Sequence, residues 1–201
     1  MGRKTQISKE TMLQAAYEIL VEEGYSMVNI KTVASRVGCS TQPISWQFGN
    51  MLKMREELYK YSMEKLFEGL NARLSKLNAV EAFFETGKIY ISNAIDHPNV
   101  FKFLCVDGAN DLSIKDRSFE SLLGDEFIKE MLSKELSLPR EKVDRIVADV
   151  VIYTHGLATM LLWDSFLLDR KTAFQMIYDQ GVMCFTKYGV DAEKYITKTG
   201  E

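Results

Sequence analysis

Apolar residues return along this chain at the three- and four-residue spacing of an α-helix, in segment after segment. Met12, Leu13, Ala16, Ile19 and Leu20 form one stripe. They predict a first helix that Ser8 caps and Gly24 stops, with Ile7 and Met12 spaced as a hydrophobic staple. Ile30, Val33, Ala34 and Val37 give a second, short helix, with Asn29 at its cap. Gly38 then permits a tight turn. A third helix follows, capped by Ser40, with Pro43 in its first turn, where a missing N–H costs least. Ile44 and Phe48 lie one turn apart and anchor it, and Gly49 ends it. Asn50 caps a fourth helix, predicted to run unbroken from Leu52 to about Leu77.

Beyond it, Asn78 and Glu81 have the spacing of a capping box. They open a helix carrying Val80, Phe83, Phe84, Tyr90, Ile91 and Ile95, which His97-Pro98 breaks. A shorter helix through Phe101 and Leu104 comes next. After a polar stretch around 107–117, helix is expected again from about Ser118, through Phe127 and Leu132. Pro139 opens a long helix whose apolar residues, Val143 to Leu162, cover a wide arc. A last helix is expected from about Thr172 to Tyr188. The chain therefore reads as all-α.

With 46% apolar residues, 201 positions suffice for a sizeable core. Three dispersed cysteines, Cys39, Cys105 and Cys184, make no CxxC pair, and no secretory signal is evident. Both point to free thiols in a reducing cytoplasm. No apolar run approaches the roughly 20 residues of a membrane helix, so no membrane partner is expected. With two histidines, no metal site with local spacing exists. No phosphate loop or nucleophile–base pair is visible, so neither a cofactor nor catalysis is expected. The net charge of −3 conceals an asymmetry. Residues 1–55 hold seven Lys/Arg against four Asp/Glu, whereas the rest holds 18 against 24. Phosphate attraction follows the local patch, and this one is basic but weak.

The segment VNIKTVASRVGCSTQPISWQFGN, Val28 to Asn50, is the sequence form of a helix-turn-helix. With Ile44 and Phe48 turned inward, Thr41, Gln42, Ser45, Trp46 and Gln47 are left to the open sides. Thr41 and Gln42 are the foremost base readers, because glutamine can bond adenine bidentately. Trp46 suits a sugar or thymine methyl, or equally the surface of its own domain. Ala15-Ala16, Gly24-Tyr25, Val33-Ala34, Val37-Gly38, Ser40 and Phe48, followed by Leu58 and Tyr59, make residues 8–60 resemble the TetR-like transcriptional regulators (the TetR/AcrR family).

That resemblance implies a helix-turn-helix domain over residues 1–51 and a helical ligand-binding and dimerisation domain over 52–201. The third helix would read the major groove. The N-terminal arm, Arg3 and Lys4, and the start of the fourth helix, Asn50 and Lys53, would hold phosphates. Asn29, Lys31, Ser40 and Pro43 complete the candidate DNA surface. The partner would be a palindromic duplex operator. Two positions depart from the family pattern: Ser45 replaces a usual tyrosine and Met51 a usual lysine, both backbone contacts.

The last two helices are more apolar than one small core requires, which suggests a four-helix interface in a homodimer. Gly156 and Gly181 are candidates for close helix approach there. The resemblance also implies a small ligand. Its candidate lining is Tyr90, Phe101, Phe103, Cys105, Met131, Met160, Trp163 and Phe166, with His155 as a polar contact. Such a wall suits a largely apolar molecule. Periodicity alone does not separate lining from ordinary core. The leading expectation is a repressor released by its ligand. The alternative is a helical interaction protein whose DNA-reading head has degenerated, motivated by Ser45, Met51 and the weak basic patch.

Overall fold

A computed structural model describes residues 7–106 and 126–196. The described residues hold ten α-helices and no strand. They fall into two compact units. The first holds the described residues through Glu68 and those from His97 to 106. The second holds Gly69–Asp96 and the described residues from 126 onward.

In the first unit, α1 (Lys9–Glu23) starts where the Ser8 hydroxyl accepts the Thr11 N–H at 3.0 Å. It ends where Gly24 turns to a φ of 87°. A 3₁₀ turn, Tyr25–Met27, leads to α2 (Ile30–Val37). Here Asn29 Oδ1 accepts the N–H groups of Lys31 and Thr32, and the Thr32 hydroxyl accepts the Asn29 N–H in return. Gly38, in the left-handed region at φ 71°, reverses the chain into α3 (Thr41–Phe48). Ser40 stands at the cap position, but its side chain makes no capping hydrogen bond there, contrary to the sequence expectation. Asn50 does cap α4 (Met51–Leu66), accepting the Lys53 N–H at 2.9 Å.

The core of this unit joins Met12, Ala16, Ile19 and Leu20 of α1 to Val33, Ile44, Phe48, Met54 and Leu58. A later piece of chain completes it. Helix α7 (Pro98–Phe101) and a π-helical turn, Lys102–Val106, bring in Val100, Phe103 and Leu104. The Phe103 ring lies 4.7 Å from that of Tyr25 and 6.1 Å from that of Tyr59. Asn99 donates its amide to the Val21 carbonyl near the end of α1, at 2.9 Å.

The single long helix expected over 52–77 is interrupted. Gly69 takes a φ of 76°, and the chain resumes as the short α5 (Leu70–Leu74). Asn78 and Glu81 form the predicted capping box of α6 (Ala79–Asp96), with N–H to side-chain distances of 2.9 and 3.3 Å. Helix α8 spans Glu126–Glu135, α9 Arg140–Met160 and α10 Arg170–Lys187. The start expected near Ser118 lies outside the described residues. Asp169 caps α10 through the Thr172 N–H, so the helix begins at Arg170, two residues before the expected start.

Val80, Phe83, Phe84, Ile128, Leu132, Val143, Ile146, Val147 and Phe185 make the second core. Buried Lys129 of α8 is balanced by Glu126 at 3.1 Å and Asp144 at 3.9 Å. The two glycines marked for close helix approach serve differently. A Cβ on Gly181 would run into the Phe84 ring, so that glycine permits α6 and α10 to pack within one protomer. A Cβ on Gly156 would meet nothing. Gly181→Ala should therefore cost about 1–3 kcal/mol through overpacking, read as a lower thermal melting midpoint.

Candidate nucleic-acid interface

Helix α3 is eight residues long, too short to hold its shape alone, so its neighbours define its faces. Ile44 and Phe48 are buried in the first core. The opposite side leaves Thr41, Gln42 and Gln47 exposed, and Trp46 is 77% exposed. Ser40 is exposed and Pro43 partly buried. The Ser45 hydroxyl turns back and donates to the Thr41 carbonyl at 3.2 Å. Thr41, Gln42, Trp46 and Gln47 thus form a strip of two amides, a hydroxyl and an indole on a rigid support.

The charges around this strip are unequal. Arg36 of α2 is held by Glu22 at 2.8 Å and Glu23 at 3.1 Å, with Glu18 at 3.9 Å. The Glu22 hydrogen bond raises its pKa further and holds the charge in place on that acidic cluster. Lys9 pairs with Glu57 and lies over the Phe48 ring. Arg55 stacks over Tyr25, its guanidinium carbon 4.8 Å from the ring centre. Lys31 and Lys53 are exposed and make no ion pair among the described residues. Asn29 and Asn50 are engaged as helix caps. Arg3 and Lys4 lie outside the described residues. Two of the five described cations in residues 1–55 are thus held in ion pairs, which spacing along the chain does not reveal.

The candidate ligand residues are divided between the units. Phe101 and Phe103 are fully buried in the first unit, and Cys105 is packed against its core. The other six belong to the second unit. Met131, Met160 and Phe166 are partly buried, and Trp163 is 57% exposed in the turn after α9. Tyr90 and His155 are brought together, with the Tyr90 oxygen 2.8 Å from His155 Nδ1. Burial lowers the His155 pKa, so the ring is neutral at pH 7. A neighbouring group was not anticipated. Asn93, three residues after Tyr90 on α6, is only 8% exposed, and its Nδ2 has no hydrogen-bond partner. Leaving a buried amide unpaired costs about 1–3 kcal/mol. An asparagine inside an apolar helix stripe is the signal that marks it.

In the second unit, α9 and α10 also leave an open groove. Ile152, Tyr153, Met183 and Cys184 line it, flanked by Asp149 and Lys187. Ile152 is 54% and Met183 62% exposed. No group of His, Cys, Asp and Glu among the described residues could hold a metal ion. No helix among them is long and apolar enough to cross a membrane.

Two solved structures share this arrangement of helices. A TetR-like transcriptional regulator from Rhodococcus sp. RHA1 superposes with a TM-score of 0.63 at 13% identity, over 94% of this chain and 98% of that one. The chain has the TetR-like fold. A second transcriptional regulator from Rhodococcus sp. Rha1 matches with a TM-score of 0.59 at 15% identity, over 90% of this chain and 97% of that one. No family model and no curated protein matches the sequence. Helix α2, the Gly38 turn and α3 have the form of a helix-turn-helix within that fold.

The buried histidine has a consequence for stability. The unfolded chain protonates His155 near its ordinary value of 6.5, while the folded ring resists. Stability is present above that pH and is lost as pH falls toward the depressed folded value. Between pH 7.5 and 5.5 the melting midpoint of the wild type should drop more than that of His155→Gln.

Proposed function

We propose that this protein is a sequence-specific, DNA-binding transcriptional regulator that acts as a homodimer and is released from its operator by a small ligand, that is, a repressor. The observation that carries the reading is the exposed strip of Thr41, Gln42, Trp46 and Gln47 on a helix locked by Ile44 and Phe48, within a TetR-like fold.

Helix α3 enters the major groove. Gln42 and Thr41 meet base edges, and Trp46 lies along a sugar or a thymine methyl. Lys31 and Lys53 contact phosphate, with Arg3 and Lys4 reaching the duplex from the arm. Two paired-off cations make one head a weak binder, so a dimer is needed. The exposed α9/α10 face supplies it: Ile152 and Met183 are apolar, and Gly156 leaves room for a second copy's helix. Two heads one helical turn apart, about 34–36 Å, would read a palindrome. Ligand binding in the second unit shifts the heads only if the ligand favours one of two conformations.

One observation favours the alternative of a helical interaction protein. Ser45 turns its hydroxyl onto its own helix, and Met51 offers no charge at the start of α4. Selection of bound duplexes from a random pool separates the two readings. A regulator enriches a palindrome, whereas an interaction protein enriches nothing, even after Ser45→Tyr with Met51→Lys.

On the selected duplex, Gln42→Ala should weaken binding about 5–150-fold, the equivalent of about 1–3 kcal/mol for a bidentate base contact. It should also relax preference at one base pair. Lys53→Ala should weaken all duplexes alike and flatten the logarithmic salt slope by about 1. Ile152→Glu with Met183→Glu should yield a protomer-sized species in sedimentation and lose operator binding together with it.

A further inference from the structure

We propose that Asn93 and the Tyr90–His155 pair form the polar end of a small-molecule site in the second unit, taking an uncharged ligand that carries a carbonyl oxygen. This deepens the ligand-binding reading and rests on it. Tyr90 and Asn93 are three residues apart on α6, so their side chains leave the same face of the helix. His155 reaches Tyr90 from α9 at 2.8 Å. The imidazole is neutral, and a Tyr90 hydroxyl donating to Nδ1 leaves the ring proton on Nε2, which makes no hydrogen bond among the described residues. Asn93 adds a buried N–H₂ with no acceptor.

The missing partner is therefore an acceptor. An unsatisfied buried donor in an apolar unit is a cost without return unless something fills it. A charged acceptor does not suit the place. Arg170, a cation that reaches α6, donates to Asp96 at 3.0 Å and to Ser92 at 3.1 Å and is thereby paired. Asn93 and His155 are neutral donors, so a carboxylate would gain no counter-charge from them to offset its desolvation. A ketone, ester or amide oxygen accepts from neutral donors at no such cost. The apolar part of the ligand would account for the rest of its affinity.

The test uses the full chain and a panel of cyclic ketones, esters and amides, each matched with a hydrocarbon of the same size. Asn93→Leu keeps the volume and removes the orphaned amide. Without ligand it should melt about 2–4 °C higher than the wild type, because no satisfied bond is lost. Carbonyl members that stabilise the wild type should bind Asn93→Leu about 5–10-fold more weakly, and Tyr90→Phe, which frees Nδ1, should also weaken them. Their hydrocarbon counterparts should not distinguish the proteins. A lower melting midpoint for ligand-free Asn93→Leu would show that the amide is satisfied within the fold and would overturn the proposal. Panel members that bind the wild type and both variants equally would leave the ligand reading standing and remove its polar end. A panel in which nothing stabilises the wild type would overturn both.

Discussion

Burial of Ile44 and Phe48 is the constraint on which the helix-turn-helix rests. An eight-residue helix gains too little from its own hydrogen bonds to persist in water. Burying two large apolar side chains contributes about 1.5–3 kcal/mol each, and in doing so it selects which face of α3 looks outward. Gly38 at φ 71° and Gly49 at φ 75° set the direction of the chain on either side. Exposure of Thr41, Gln42, Trp46 and Gln47 is a consequence of that packing rather than a separate feature. The head core in turn needs Phe103, held between Tyr25 and Tyr59, from a stretch of chain that begins more than thirty residues after α4 ends.

Electrostatics of the head is set by pairing more than by composition. The acidic end of α1 holds Arg36 and Glu57 holds Lys9, whereas Lys31 and Lys53 are exposed without an ion pair among the described residues. A weak patch of this kind attracts phosphate but does not retain it against salt. Doubling the patch in a dimer, with base contacts added, converts loose attraction into selective binding in the proposed function.

The second unit combines tight and open regions. The Phe84 ring against Gly181 leaves no room for even a methyl group, and the Phe83, Phe84, Tyr178 and Phe185 rings pack edge to face or tilted around it. Against this stand the groove between Ile152 and Met183 and the polar island of Tyr90, Asn93 and His155. Gly156 costs α9 roughly 1 kcal/mol relative to alanine, and a Cβ there would meet nothing within 4 Å. The unpaired Asn93 amide and the helical Gly156 each cost the fold stability.

The helices and most of their ends were written locally. Ser8, Asn29, Asn50 and the Asn78–Glu81 box cap where they stand because a cap needs only a polar side chain three residues from its target. The apolar stripes, the helix-turn-helix and the TetR-like character were legible for the same reason: periodicity and turn chemistry act within a few residues. Ser40 lacked its capping bond, and the long helix broke at Gly69, because a residue's propensity does not state which conformation the surrounding packing will favour. Tertiary structure alone placed Phe103 in the head core and Arg36 against glutamates thirteen and fourteen residues away. It also assigned Gly181 to the interior and Gly156 to the surface, and left the Asn93 amide without an acceptor. Those outcomes depend on side chains distant in sequence meeting in space, and spacing along a chain carries no information about which of them will meet.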